Sequence, residues 1–386
     1  MNILFLLDTQ LTKVCRGGIE RSTENCAREM TRRGHSARIL AWQAEEDVSA
    51  EFPQRVFPKN KPRDAAENRA FFARVLQDEK IDVIVFQCGG GWKFPFPREI
   101  REFGVPAISV IRSVPDSYVA RYAQKYSGIA RRWNTWTKYW RQAWKYRFNC
   151  EHCARTVVLS KGLIPRLEKH LTAKQIAARK IAAIPNFAPY PKAETDFSAK
   201  KKELLFVGRM SFVEKRPDLL LKIWAKLQGA FPEWSLRFLG DGDYLPTLKK
   251  LAGMLGAERV RFEGFRDPAP FFRDASIFCM TSAYESFGNV LVEAAAFGCV
   301  PAAFDSFPAV RDIIDDGENG ALVPAFDLDA YAETLARLMS DDALRERLAK
   351  NALAQIPAKF SPEKIGDAWE KLFEKVLSEQ SRREFK

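Results

Sequence analysis

The chain has 386 residues, of which 46% are apolar, and a formal net charge of +12 at pH 7. This length and apolar content predict a globular protein of two or three packed domains and exclude a disordered chain. The excess of positive charge indicates an anionic partner: nucleic acid, an acidic membrane surface or a phosphorylated substrate. Charge alone does not choose among these partners.

Seven scattered cysteines, an odd number, argue against a disulfide framework and favour the cytoplasm. Cys150 and Cys153 flank His152, but no second pair follows at the spacing of a zinc site, so we expect ordinary thiols. Residues 1–11 are apolar but are interrupted by Asp8, which predicts a buried strand and not a signal peptide. We expect no membrane-spanning segment, because no stretch of the chain is long and apolar enough.

Strand-like apolar runs alternate with helical patterns, which predicts parallel sheets covered by helices. In the first half we expect a helix at residues 18–33 and strands at residues 1–7, 36–42, 81–87, 107–111, 156–159 and 181–184. Gly34 stands where a helix commonly ends in a glycine. Gly17 and Gly18 lie between the first strand and the first helix, and a Gly-Gly pair alone is most often a simple turn.

Residues 118–148 contain no acidic residue, eight lysines or arginines and ten aromatic residues. If this stretch is a helix, one stripe of its surface contains Trp133, Trp136, Trp140 and Trp144. Lys138, Arg141 and Lys145 lie on a different side of the helix. This pattern is typical of an interfacial helix on an anionic bilayer. A tryptophan face packed against its own domain explains the pattern equally well. Nucleic-acid binding through the same residues is not favoured, because it gives no use to the charged, glycine-containing motifs at residues 207–215 and 281–305.

The Pro-rich residues 185–191 and the polar, basic residues 192–202 predict an interdomain linker. A second βα series begins at Leu204 and continues with strands at 235–239, 260–263 and 275–280. We therefore expect two doubly wound α/β domains, residues 1–190 and 203–360, with a ligand cleft between the carboxyl edges of their strands. A last helix over residues 361–378 carries one apolar stripe, made of Ile365, Trp369, Leu372, Phe373 and Val376.

The second half also carries charged residues beside glycines. Gly208, Arg209 and Lys215 follow its first strand. Asp241 and Asp243 belong to a Gly-Asp-Gly-Asp segment, which we interpret as a turn and not as a metal site.

Residues 281–305 hold Glu285 and Glu293, eight positions apart, where a loop leads into a helix from about Asn289. The backbone N–H groups near Phe287, Gly288 and Asn289 point out of that helix N-terminus, which favours an anion such as a diphosphate.

Taken in this order, the motifs resemble the retaining GT-B glycosyltransferases of the group 1 / family 4 type, which include many lipopolysaccharide and polysaccharide transferases. Glu285 and Glu293 resemble the Glu-x7-Glu motif of that family, and residues 207–215 resemble its Gly-Arg…Lys segment. The resemblance implies two Rossmann-like domains that face each other across a cleft. It also implies that residues 361–386 cross back onto the first domain.

The resemblance assigns roles to the candidate residues. Arg209 and Lys215 clamp the donor diphosphate, Glu285 lies at the sugar hydroxyls and Glu293 at the ribose; Glu285, Arg209 and Lys215 are the catalytic set. The remaining donor-binding residues are Gly17, Gly18, Arg112, Gly208, Ser286, Phe287, Gly288 and Asn289. Arg112 stands where many relatives have a histidine, so either it contacts a phosphate or an acidic sugar, or the site is arranged differently.

The implied function is a retaining glycosyltransferase that uses a nucleotide-sugar donor, which we expect to be a UDP-sugar, without a cofactor or a metal ion. Its acceptor would be lipid-linked, or a lipopolysaccharide or polysaccharide. We expect a cytoplasmic protein without a nucleic-acid partner, and attachment to the cytoplasmic face of the inner membrane stays open. Two alternatives remain: a nucleotide-sugar epimerase or phosphorylase on the same fold, and a non-catalytic basic protein that binds membranes or nucleic acid.

Overall fold

The computed structural model describes residues 1–13, 17–88, 90–115, 117, 119–120, 123, 127–188 and 195–384. The chain divides into two compact units, Met1–Phe187 with Pro362–Lys386, and Ala188–Ser361. Each unit contains one sheet of parallel strands with helices between them. The predicted class, α/β with two doubly wound parallel sheets, is therefore confirmed.

Unit 1 contains a seven-stranded sheet in the order β3-β2-β1-β4-β5-β6-β7. Its strands are β1 (Asn2–Thr9), β2 (Ser36–Gln43), β3 (Gln54–Val56), β4 (Val83–Phe86), β5 (Ala107–Val110), β6 (Arg155–Val158) and β7 (Ile181–Ala183). Its helices up to this point are α1 (Gly18–Arg32), α2 (Ala66–Asp78), α3 (Pro97–Glu102), α4 (Gly128–His152), α5 (Ile164–Glu168) and α6 (Ala173–Ala177), with a 3₁₀ turn at Lys161–Leu163.

The central strand β1 shows why the apolar runs form strands. Its residues 3–7 are all buried, and Ile3 pairs with Ala37 of β2 on one side and Val83 of β4 on the other. A strand covered by helices on both faces has no polar face, so it reads as a continuous apolar run. The helix that follows ends as expected, because Gly34 adopts a φ of +84° that L-residues rarely adopt.

Unit 2 contains a six-stranded sheet in the order β10-β9-β8-β11-β12-β13. Its strands are β8 (Lys201–Val207), β9 (Ser235–Leu239), β10 (Val260–Phe262), β11 (Ala275–Met280), β12 (Val300–Phe304) and β13 (Ala321–Val323). Its helices are α7 (Pro217–Leu227), α8 (Leu245–Met254), α9 (Ala269–Asp274), α10 (Asn289–Ala296), α11 (Val310–Ile313), α12 (Leu328–Ser340) and α13 (Asp342–Lys359).

The predicted carboxyl-terminal end of the interdomain linker, residue 202, was wrong. Strand β8 begins at Lys201, inside the basic run 192–202, and Lys201 pairs with Ala275 of β11. The first two residues of β8 are exposed lysines, so the strand starts before its apolar core and the sequence pattern hides its beginning. Residues 189–194 of the linker lie outside the described residues.

The last helix, α14 (Pro362–Glu384), belongs to unit 1. Its predicted apolar stripe is buried at every position: Ile365, Trp369, Leu372, Phe373 and Val376. Several side-chain contacts join it to the end of α1 and the residues after it. Arg33 Nη1 lies 2.7 Å from an oxygen of Asp367, and His35 Nε2 lies 2.8 Å from an oxygen of Glu370.

Each sheet changes winding direction at one place, between β1 and β4 in unit 1 and between β8 and β11 in unit 2. In open parallel sheets, ligands bind outside the carboxyl ends of the strands at such a switch point. The loops after β1, β4, β8 and β11 are therefore the places to look for a site. Among the described helices, we find none whose apolar stretch would reach across a bilayer.

Candidate functional site

The loops after β8 and β11 meet through an ion pair between Lys215 and Glu285. Lys215 Nζ donates to Oε1 of Glu285, and the Ser282 hydroxyl donates to the same oxygen at 3.0 Å. The side chains are 22% and 11% exposed, so the pair is largely withdrawn from water but still reaches the surface. Residues 70 positions apart in the sequence thus form one charged group at the switch point of unit 2.

A second acid, Glu214, stabilises these loops from inside and was missed at the level of sequence. Its backbone carbonyl accepts hydrogen bonds from the N–H groups of Ala283 at 2.7 Å and Tyr284 at 3.4 Å. Its carboxylate accepts from the Ser211 hydroxyl and lies 3.8 Å from Nη2 of Arg209. Arg209 itself is 59% exposed at the side chain, so its guanidinium is available to a ligand.

Glycines at the ends of β8 and β9 let the backbones of the two following loops come into contact. Gly240 has a φ of +129°, and a Cβ at this position would lie 2.0 Å from the carbonyl oxygen of Gly208. Met210 N–H donates to the Asp241 carbonyl at 2.8 Å, and the Asp241 side chain accepts from Gly242 N–H at 2.7 Å. Asp241 thus acts as a turn former, which is how we interpreted it.

The loop after β11 enters α10 through Gly288, which has a φ of +99° at the helix N-cap. Phe287 is 1% exposed and packs edge-on against Phe360 at 5.0 Å, so its side chain anchors the loop and only its backbone can serve a ligand. Ser286 and Asn289 are half-buried on either side of this turn. Glu293 is half-buried on the second turn of α10.

Together these groups bring cations and an acid into the loops after β8 and β11. An ammonium, an exposed guanidinium and the N-terminus of α10 belong to these loops, and groups of each kind favour a negatively charged ligand. The carboxylate of Glu285 is oriented by Lys215 and Ser282, and it can accept hydrogen bonds from hydroxyl groups. The arrangement suits a ligand with an anionic part and a polyhydroxyl part.

The predicted residues of unit 1 lie at the carboxyl edge of its own sheet. Gly17 is the N-cap of α1, and Gly18 is the first residue of that helix. A Cβ on Gly17 would meet the carboxylate of Glu20 at 1.9 Å. Residues 14–16 of the same loop lie outside the described residues.

Arg112 is held by side-chain oxygens from the neighbouring strand ends. Its Nε donates to Gln87 Oε1 at 2.7 Å and its Nη1 to Asn186 Oδ1 at 2.5 Å. Burial lowers the pKa of Arg112 to about 10, with Cys26 and Glu20 acting in the opposite direction. The guanidinium is therefore still protonated at neutral pH. Its predicted contact with a phosphate or acidic sugar stays a prediction.

Sequence reasoning also missed a polar group at the switch point of unit 1. Asp8 follows the buried part of β1, and its Oδ1 accepts from Arg63 Nη2 at 2.5 Å and from the Cys88 thiol at 3.2 Å. Arg63 is only 9% exposed, and its guanidinium carbon lies 4.3 Å from the ring centre of Trp42 and 4.0 Å from that of Trp92. No periodicity could reveal this group, because its members come from four separate segments.

The tryptophans of α4 lie at the surface of unit 1. The exposed fractions of Trp133, Trp136, Trp140 and Trp144 are 66%, 57%, 45% and 52%. Arg141 is exposed and Lys138 half-buried. Lys145, by contrast, donates from Nζ to the carbonyl of Gly91 at 2.6 Å, and burial lowers its pKa. The described residues therefore contradict the alternative in which the tryptophan stripe packs in the core.

Two families match the chain, one in each half. Residues 16–189 match the family described as Glycosyltransferase Family 4, and residues 191–355 match the family described as Glycosyl transferases group 1. The two matches follow one another almost without a gap.

Similar proteins include a glycosyltransferase of lipopolysaccharide core biosynthesis and a phosphatidyl-myo-inositol mannosyltransferase. The chain is 34% identical over 200 residues to the lipopolysaccharide core biosynthesis glycosyltransferase LpsE of Rhizobium meliloti (strain 1021), which is 50% of the chain and 57% of LpsE. It is 34% identical over 171 residues to the phosphatidyl-myo-inositol mannosyltransferase of Mycobacterium leprae, which is 43% of each protein. The chain thus spans about half the length of these relatives.

Solved structures share the fold over nearly the whole chain. Anabaena Alr3699/HepE in complex with UDP and glucose gives a TM-score of 0.73 at 18% identity, covering 96% of this chain and 99% of that one. WaaG, a glycosyltransferase involved in lipopolysaccharide biosynthesis, gives a TM-score of 0.66 at 19% identity, covering 95% and 99%. At such identities the likeness concerns the fold.

Proposed function

Since the chain belongs to the group 1 / family 4 glycosyltransferases and has their GT-B fold, we propose that it transfers a sugar from a nucleotide-diphosphate donor to a lipid-linked, lipopolysaccharide or polysaccharide acceptor with retention of configuration. The observation that carries the proposal is the Lys215–Glu285 pair at the carboxyl ends of β8 and β11. It combines a cation for a diphosphate with a carboxylate for sugar hydroxyls at the switch point of one sheet.

In the proposed reaction, cationic groups of the protein stabilise the negative charge that develops on the leaving group. As the bond between the anomeric carbon and the diphosphate oxygen breaks, negative charge grows on the leaving nucleoside diphosphate. Fixed cations at that point lower the barrier, and one such group typically contributes about 3 kcal/mol. We assign this role to Lys215 and Arg209, assisted by the N-terminus of α10, and propose that no metal ion is required.

Glu285 and Glu293 take different roles in this proposal. Glu285 orients the donor sugar, since its carboxylate is largely buried and held by two donors. Glu293, on the second turn of α10, binds the ribose hydroxyls. Because the acceptor attacks on the face from which the leaving group departs, neither glutamate acts as the base of an inverting reaction.

Support for the substrate classes comes from the relatives. HepE is seen with UDP and glucose, so we propose a UDP-sugar donor. LpsE acts in lipopolysaccharide core biosynthesis, and the mycobacterial relative is a phosphatidyl-myo-inositol mannosyltransferase, so we propose an acceptor of the glycolipid or lipopolysaccharide class. For such an acceptor we propose a cytoplasmic enzyme in peripheral contact with the cytoplasmic face of the inner membrane.

The test is nucleotide release from a panel of UDP-, GDP- and ADP-sugars, with and without an extract of lipopolysaccharide and lipid-linked glycans. Release that depends on the extract supports transfer, and isomerisation of the donor without extract supports an epimerase instead. A nucleotide that binds only the folded protein at 100 times its Kd stabilises it by about 2.7 kcal/mol, so thermal unfolding with UDP, GDP and ADP reports binding separately. The absence of a shift with all three nucleotides would contradict the proposal.

Two lysines make a matched comparison. Lys215→Ala removes the pair with Glu285, whereas Lys226→Ala removes an exposed pair with Asp329 in the same unit. The proposal requires that only the first substitution abolishes nucleotide release and the shift by UDP.

A further inference from the structure

Helix α4 presents a tryptophan face to solvent, and we propose that this face attaches the protein to the headgroup region of an anionic lipid bilayer. The proposal names the surface for the peripheral membrane contact proposed above and rests on that part of the proposed function. It does not depend on the transfer reaction, because vesicle binding and nucleotide binding are measured separately.

The face is made of large apolar side chains that the fold leaves uncovered. Trp133, Trp136, Trp140 and Trp144 are each about half exposed or more, and Ile129, at the start of the helix, is 87% exposed. Isolated exposed apolar residues need no explanation, whereas a contiguous set of them marks an interaction surface. Four indole rings on one stripe of a single helix form such a set.

The opposite face of α4 is buried in unit 1 and holds the helix in place. The buried residues of the helix are Gln142, Ala143, Tyr146, Asn149 and Cys150. Asn149 fixes the helix to the loop after β4, since its side chain accepts from Phe94 N–H at 2.7 Å and donates to the Trp92 carbonyl at 2.9 Å. The tryptophan stripe is therefore not needed to hold α4 on its domain.

The rings are also ordered relative to one another. The centroid of Trp133 lies 5.7 Å from that of Trp136, which lies 6.5 Å from that of Trp140. Contacts at these distances are favourable for aromatic pairs. A preordered face loses less conformational entropy on binding than separate mobile side chains do.

Cations lie beside this face, and acids are absent from the helix until its end. Residues 127–150 contain no aspartate or glutamate. Arg132 and Arg141 flank the tryptophan stripe on the helix and are exposed. Lys93 from the loop after β4 places its Nζ 5.1 Å from the Trp144 ring centre, and the Arg147 guanidinium lies 5.3 Å from the Trp140 ring centre.

The chemistry of this surface selects one partner. Indole rings concentrate at the membrane–water interface, and arginines beside them bind lipid phosphates. Each cation near an anionic surface contributes about a fivefold gain in binding. A second copy of the same face would bring like charges together without an acid to compensate, which disfavours self-association.

Flotation of the full chain with phosphatidylcholine vesicles, with and without phosphatidylglycerol, tests the proposal. We expect binding only to the vesicles that contain phosphatidylglycerol, and quenching of tryptophan fluorescence by brominated lipid in those vesicles. Changing Trp133, Trp136 and Trp144 to serine should abolish both signals. The matched control changes Met254 and Phe265 of unit 2 to serine, which are 83% and 57% exposed.

A charge variant keeps the test independent of the tryptophans. Arg132 and Arg141 changed to glutamine should weaken vesicle binding by about fivefold for each residue. Because all substituted residues are exposed, thermal unfolding and the shift by UDP should match the wild type. Failure of the wild type to float would overturn the proposal, as would equal binding to neutral vesicles or a wild-type dimer that the tryptophan variant dissociates.

Discussion

Replacing Lys215 by alanine separates the catalytic and the structural contribution of one ion pair. The proposed reaction loses a fixed cation next to the leaving diphosphate, which for a comparable group costs about 10²- to 10³-fold in kcat. The substitution also leaves Glu285, which is 11% exposed at the side chain, with the Ser282 hydroxyl and without its ammonium partner.

The stability cost follows from the burial of the pair. Breaking a fully buried ion pair costs about 3–5 kcal/mol, whereas an exposed pair contributes about 0–1 kcal/mol. With side chains 22% and 11% exposed, the Lys215–Glu285 pair falls between these limits, and we expect a loss of about 2 kcal/mol. For a unit of this size the loss lowers the unfolding midpoint by about 4–8 °C.

The double variant Lys215→Ala/Glu285→Ala sharpens this prediction. Removing both charges relieves the unpaired carboxylate, so the double variant should be more stable than Lys215→Ala alone. Its transfer activity should stay as low as that of the single variant, because the cation is still missing. From the single to the double variant, stability is thus expected to rise while transfer activity stays low.

The assays are UDP release under saturating donor and thermal unfolding with and without UDP. Lys226→Ala, which breaks the exposed pair with Asp329, should resemble the wild type in both. Wild-type turnover by Lys215→Ala would refute the assignment of the cation. Loss of activity together with a double variant less stable than the single one would refute the interpretation of the pair.

Two further predictions concern the scaffold. Gly240→Ala should destabilise unit 2 by more than about 1–3 kcal/mol, because a φ of +129° strains an L-residue and the new Cβ would meet a carbonyl oxygen at 2.0 Å. A urea titration measures this loss. Gly253→Ala is the control: no atom lies within 4 Å of its Cβ, so it should be neutral or stabilising in the same titration. Burial opposes ionisation of Glu370, but hydrogen bonds from His35 and Arg33 outweigh it and lower the pKa of this carboxyl. A lowered pKa in the folded state stabilises the protein above the ordinary carboxyl pKa, and this stability is lost as the pH falls through the lowered value. The stability difference between wild type and Glu370→Gln should therefore be present at neutral pH and disappear in acid, and a difference that persists unchanged in acid would contradict the assigned cause.

The buried strands and the glycine-containing turns could be predicted because each has a local physical signature. A strand such as β11 consists only of buried residues, and Gly34 and Gly288 occupy backbone conformations that favour glycine. Strands β3, β12 and β13 were not predicted; β3 and β13 have only three residues each, which is too few for a measurable period. Lys215 and Glu285 of the candidate site could also be predicted, because they belong to motifs that follow predicted strands. Glu214 and the Asp8–Arg63 pair could not.

Contacts between distant segments were beyond the reach of the sequence. The helical period of α4 places four tryptophans on one stripe, but it does not say whether that stripe faces a core or water. The buried side is instead decided by Asn149, which bonds to the loop after β4. In the same way, Lys145 looks like one more surface cation until its hydrogen bond to the Gly91 carbonyl is seen.

The backbone hydrogen bond from Ala188 N–H to the carbonyl of Phe360, at 2.8 Å, joins the first and the last part of unit 2. Unit 2 is therefore an inserted domain whose two ends are neighbours, so a short Gly-Ser bridge in place of residues 188–361 should leave unit 1 able to fold. During translation, the ribosome releases α14 only after the whole insert has been made. Until then, the part of unit 1 that has already been synthesised lacks α14. The surface that Trp369 and Phe373 cover in the folded protein is exposed during this time and accessible to chaperones.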